Sequence, residues 1–176
     1  LLLITNLLRS QAIDFDTYFT GERLRIDLVF AGDAEKQDIY LEGLTLEPHW
    51  SGTRSKLAHP FNYGEFRIEV KENNKIIYSA GFNNLFQEWR TTSEAKENKM
   101  AFTGSCRIPF PKERVDLIFY ERVKASGKFS QLAKFSIDPA DKLIKREIEH
   151  NFKTDTIHYS GDPSKKVDLL FIAEGY

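Results

Sequence analysis

Arg23-Leu-Arg-Ile-Asp-Leu-Val-Phe30 alternates without a break: Leu24, Ile26, Leu28 and Phe30 fall on one face of an extended chain, Arg25, Asp27 and Val29 on the other. Successive Cβ atoms leave a strand on opposite sides, so a period of two marks a half-buried strand and is wrong for a helix. The flanking sequence repeats the pattern. Gly32-Asp33 and the polar residues to Asp38 form a turn, and Ile39 to Leu46 resume as a strand that Pro48 stops, because proline has no N–H for the ladder. Phe66, Ile68 and Val70 alternate again, and Glu72-Asn-Asn-Lys75 turns the chain into Ile76-Ile-Tyr78, a hairpin whose asparagine pair tolerates positive φ. Asn83 to Trp89 breaks the period, and Thr91 to Glu97 places capping residues ahead of helix formers, enough for one or two helical turns.

Strands resume at Ala101 to Ile108, ending at Pro109-Phe-Pro111, and at Val115, Leu117 and Phe119 up to Glu121. Ser126-Gly-Lys128 then turns into Phe129 to Ile137 and closes a second hairpin, while Lys142 to Ile148 reads either as an edge strand or as one short helix. Turn signals about every ten residues, with almost no long helix, predict an all-β fold, an antiparallel β-sandwich of Ig-like or jelly-roll-like type. The tail differs. Val167-Asp-Leu-Leu-Phe-Ile-Ala173 is apolar without alternation, as in a parallel strand covered on both faces, and reads as the first strand of a truncated α/β domain. The expected division is 1–12, 13–148 as the sandwich, 149–166 as a linker containing Tyr159-Ser-Gly-Asp-Pro163, and 167–176 as the start of the next domain. Leu1 to Leu8, followed by Ser10-Gln11-Ala12, has the pattern of the end of a secretory signal with a small-x-small cleavage site, and an amphipathic first strand would carry the same pattern. The apolar run is too short to span a bilayer, which takes about 20 residues.

Composition narrows the function. The 176 residues carry 25 basic and 26 acidic side chains for a net charge of −1, and no basic run exceeds two, so the chain lacks the electrostatic footprint of a nucleic-acid binder. The single cysteine, Cys106, has no partner for an internal disulfide and sits in a strand-like run, where it reads as a small buried residue. His49, His59, His150 and His158 lie far apart, and none forms the His-Glu-x-x-His pair that sets two imidazoles on one helix face around zinc. Asp27, Asp33, Glu35 and Asp38 gather around one turn but lack the spacing of a calcium loop, which favours a solvated turn. No nucleophile elbow or phosphate loop is present, so no catalytic residue, metal ligand or cofactor is assigned to this segment. Trp50, Tyr63 and Trp89 lie in or beside loops and are the candidate partner or ligand contacts; for Leu85 to Trp89 packing against a domain is the favoured reading.

Several separated motifs, taken in order, carry a resemblance: Tyr18 to Gly32, Ile39-Tyr-Leu-Glu-Gly-Leu44, Glu47-Pro-His-Trp-Ser-Gly52, Leu85-Phe-Gln-Glu-Trp89, Ser160-Gly-Asp-Pro163 and Ala173-Glu-Gly-Tyr176. From about Phe15 to its end the chain resembles the N-terminal region of Bacteroidetes IgA-peptidase-type zinc metallopeptidases, metallopeptidase family sixty-four. The resemblance implies a secreted or cell-surface bacterial protein in which a noncatalytic β-sandwich precedes a zinc-dependent catalytic domain. Zinc and its His-Glu-x-x-His helix would belong to that downstream domain, so no metal or catalytic role passes to a residue here. The implied partners are the chain's own catalytic domain and a protein or glycoprotein substrate, with no nucleic acid and no transmembrane segment. The competing expectation is a stand-alone carbohydrate- or host-protein-binding module using Trp50, Tyr63 and Trp89.

Overall fold

The structure is a computed structural model and describes residues 13–59, 61, 63–150, 153, 155–162, 166 and 169. A single helical turn, α1 (Phe15–Tyr18), opens it on Asp14, whose Oδ2 accepts from the Thr17 N–H at 3.0 Å and so satisfies a donor the short helix leaves free. The alternating stretch lies within β1 (Phe19–Gly32), which extends beyond it at both ends. There follow β2 (Gln37–Glu47), β3 (Phe66–Glu72), β4 (Lys75–Phe82), α2 (Leu85–Trp89), α3 (Glu94–Glu97), β5 (Met100–Pro111), β6 (Val115–Arg122), β7 (Phe129–Ile137) and the two-residue β8 (Lys145–Arg146).

The strands form two four-stranded sheets, β5-β1-β2-β8 and β4-β3-β6-β7, in which every pair is antiparallel except β2 with β8. This is the all-β sandwich that the period of two predicts. Leu24, Ile26, Leu28 and Phe30 on β1 face Phe66, Ile68 and Val70 on β3 and Leu117 and Phe119 on β6, all buried in one core. Each such side chain contributes roughly 1.5–3 kcal/mol by leaving water. Phe30 joins the layers, its ring centroid 5.3 Å from Phe66 and 6.5 Å from Phe86. The β3–β4 hairpin turns through Asn73 and Asn74, at φ 47° and 70°, the positive values the asparagine pair is suited to.

The structure refines the sequence reading in three places. The break in the period of two from Asn83 to Trp89 is a helical turn: Asn84 Oδ1 accepts from the Gln87 N–H at 2.9 Å, caps α2, and lets the helix bury Phe86. β5 runs on through Pro109 to Pro111, because it is an edge strand with one side that has no ladder to supply. Between 142 and 148 the edge strand forms rather than the helix, and it pairs parallel to β2 with Ile144 buried beside it. The described residues of 149–166 hold neither helix nor strand. Residues 1–12 and, apart from the exposed Leu169, the 167–176 segment lie outside the described residues.

Candidate interaction surface

The polar face of the alternating strand builds the largest ion-pair cluster among the described residues. On the outer surface of the first sheet, Arg23 stands opposite Glu47 of β2, and Arg25 stands between Thr45 of β2 and Arg107 of β5. These registers draw three guanidinium groups onto one carboxylate. Glu47 Oε2 accepts from Arg23 Nε and, at 3.1 Å, from Arg107 Nε; Oε1 accepts from Arg25 Nη1 at 2.9 Å. Arg25 also donates to Glu147 Oε1 at 2.8 Å, Asp27 Oδ1 at 3.1 Å and Thr45 Oγ1 at 3.3 Å. The Glu47 side chain is 3% exposed. Burial pushes its pKa up, but the hydrogen bonds from Arg107 and Arg23 outweigh that and hold the carboxyl below its usual range. Sequence inspection placed Arg25 and Asp27 on the polar face of their strand but did not single out the cluster, because only strand register shows that these residues converge.

Trp50, Tyr63 and Trp89 occupy separate settings. The half-buried Trp50 meets Tyr78 edge-on at 5.9 Å, donates from Nε1 to the Thr53 carbonyl at 3.2 Å, and is tied by its backbone N–H to Gly21 at one end of β1. Trp89 stacks on Phe86 at 5.6 Å, touches Phe102 at 5.7 Å and donates from Nε1 to Glu94 Oε2 at 3.1 Å. Since Phe86 packs on Phe30, Trp89 belongs to the other end of β1, roughly 30 Å of strand from Gly21. Tyr63 is exposed, with its hydroxyl 2.9 Å from His59 Nε2 and its ring edge-on to the imidazole.

The remaining candidate groups have local roles. Asp33 Oδ1 accepts from the backbone N–H groups of Lys36 and Glu35, which closes the β1–β2 turn and lowers its pKa. Cys106 lies opposite Ile26 and packs against the core, where burial pushes its thiol up to about 12. Among the described residues no group of three or more His, Cys, Asp or Glu converges to hold a metal. The zinc implied by the resemblance therefore has no ligand set in them. A polar cavity of about 740 Å³ lies where α2 meets the β6–β7 end, but Asn84, Asn83 and Arg122 on its wall already bond Gln87, Glu65 and Gly64.

The family described as the peptidase M64 N-terminus matches residues 14–133. The chain belongs to that family. No curated protein matches it. The matched span runs from the Asp14 cap of α1 into β7 and so covers nearly the whole sandwich, including Arg23, Arg25, Glu47, Arg107, Trp50, Tyr63 and Trp89. Glu147 and β8 follow it in sequence, so this member of the peptidase M64 N-terminus family completes its charge cluster with a residue from outside the matched unit.

Proposed function

We propose that this chain is the noncatalytic N-terminal domain of a secreted or surface-bound bacterial zinc metallopeptidase, where it supports the catalytic domain and helps recruit a protein substrate. Its membership of a peptidase N-terminal family carries the reading. A supporting role fits the segment after β7, where Leu143, Ile148, Ile157, Tyr159 and Leu169 are all strongly exposed. Apolar side chains at that density in one stretch suit a packed partner better than water. The signal-like pattern of Leu1 to Ala12 supports secretion. The binding-module alternative draws less support, since the Trp50 and Trp89 rings already pack on Tyr78 and Phe86.

The test compares the 176-residue chain with the full parent polypeptide on casein and immunoglobulin A, with and without 1,10-phenanthroline. Cleavage by the parent alone, lost with the chelator, is the expected result. Proteolysis by the 176-residue chain itself, or chelator-resistant cleavage by the parent, would overturn the proposal.

A further inference from the structure

An unpaired strand edge is a template for another strand, and this sandwich blunts its edges unequally. At β4 the Ser79 N–H donates to the Leu57 carbonyl at 2.9 Å, and Ala58 bridges to Ser79. On β2 the outer edge is paired with β8 at Thr45 and Leu46, and β7, whose outer edge has no strand neighbour among the described residues, has a register shift in its ladder opposite Phe119 and Tyr120. β5 is different. It pairs with β1 through ten consecutive residue pairs, from Arg23 with Pro109 to Gly32 with Met100, without a bulge, and its other edge has no strand neighbour among the described residues.

Arg107 stands on that edge with a definite chemical preference. Only its Nε is engaged, on the oxygen of Glu47 that Arg23 also uses; Nη1 and Nη2 have no partner among the described residues, and the side chain is 45% exposed. Two donors on one acceptor lie no more than about 6 Å apart, so two guanidinium groups stand side by side over a single negative charge. Arg25 is met by Asp27 and Glu147 as well as by Glu47 Oε1, so the three arginines and three carboxylates of the cluster balance, and what Arg107 offers an incoming group is its two terminal nitrogens as donors rather than net charge.

The opposite side of the same sheet shows how this face accepts an acidic segment. There Glu147-Ile148-Glu149 follows β8, with the Glu147 N–H on the Leu46 carbonyl at 2.9 Å, the Glu147 carboxylate on Arg25, and Glu149 Oε1 2.8 Å from His49 Nε2. We propose that the free edge of β5 is a docking site for an extended acidic polypeptide segment, which adds as a fifth strand and sets a carboxylate on the terminal nitrogens of Arg107. A second copy does not suit the site, because Met100 to Pro111 contains no acidic residue to meet Arg107. The proposal is independent of the parent's activity.

The experiment titrates the 176-residue chain with the capped peptide Thr-Val-Glu-Val-Glu-Val-Thr, by calorimetry and by amide hydrogen exchange. Binding is expected, with added protection at residues 101–107, about tenfold weakening in Arg107→Gln, and no binding by the peptide with lysine in place of glutamate. A peptide N-methylated at every residue cannot donate to a ladder from either edge and should also fail, a readout that needs no protein variant. Equal affinity of the N-methylated peptide, unchanged affinity in a folded Arg107→Gln variant, binding of a sulfated oligosaccharide but not the peptide, or self-association through β5 would each overturn the proposal.

Discussion

Arg25 on β1 donates from Nη1 to Oε1 of Glu147, 2.8 Å away and 122 positions later in the chain. This contact ties the segment after the sandwich to the polar face of its central strand, and with the Glu147 backbone bond to Leu46 it holds the short β8 in place.

Replacing Glu147 by Gln should therefore loosen β8 without unfolding the sandwich. Glu147 is 46% exposed, so solvent screens the pair and the expected loss of global stability is small, about 0.5 kcal/mol. Hydrogen exchange should show the effect locally, as faster exchange of the Glu147 amide with the β3–β6 ladder unchanged. Equal acceleration throughout the sandwich would show that β8 is integral to global folding.

Glu47 should make stability depend on acid pH. Its folded pKa is depressed below the ordinary 4.5, so its contribution is full above that value and is lost as pH falls through the lower folded value. Asp116 and Asp138, also lowered, act in the same direction. Glu47→Gln should cost about 2 kcal/mol at pH 7, less than a fully buried pair because the arginines are partly exposed. Urea titrations should show a smaller loss between pH 5 and 3 in the variant than in the parent sequence.

The β3–β4 turn is a separate test of backbone conformation. Asn74 at φ 70° occupies the left-handed region, so Asn74→Val should destabilise by about 1–2 kcal/mol, while Asn74→Gly should be neutral or slightly stabilising. The two urea midpoints should move apart, and a Val variant as stable as the Gly variant would contradict the assigned turn.

Cys106 should be inert in the native protein. With its thiol pushed up to about 12 by burial, it should fail to react with a disulfide reagent at pH 8 and react fully once urea unfolds the chain. Rapid labelling of the folded protein would place the thiol outside the core.

Much of the architecture follows from local pattern. Alternation at Leu24, Ile26, Leu28 and Phe30, the Asn73-Asn74 turn and the hairpin at Ser126 to Lys128 are written in neighbouring residues, since a strand's period and a turn's φ values are short-range properties. Family membership was legible as well, from motifs spread along the chain. The helical turn at Leu85 to Trp89 was hidden because five residues are too few to display a helical period, and its Asn84 cap is recognised only from the bond it makes.

The charge cluster was not legible. Arg23, Arg25 and Arg107 each read as an ordinary polar residue, and Glu47 as the last residue before a proline. Their convergence depends on which strands become neighbours and in which register, and a slip of one residue would turn Glu47 toward the core. The free edge of β5 arises in the same way: Pro109 and Pro111 suit an edge strand, but which strand lies outermost is fixed only when the sheet is assembled. Local sequence thus determined where the chain is extended and which side of each strand is apolar, because those properties span a few bonds. Pairing order brought the cations onto one carboxylate and set β5 at the end of its sheet, because those outcomes depend on residues that meet only in three dimensions.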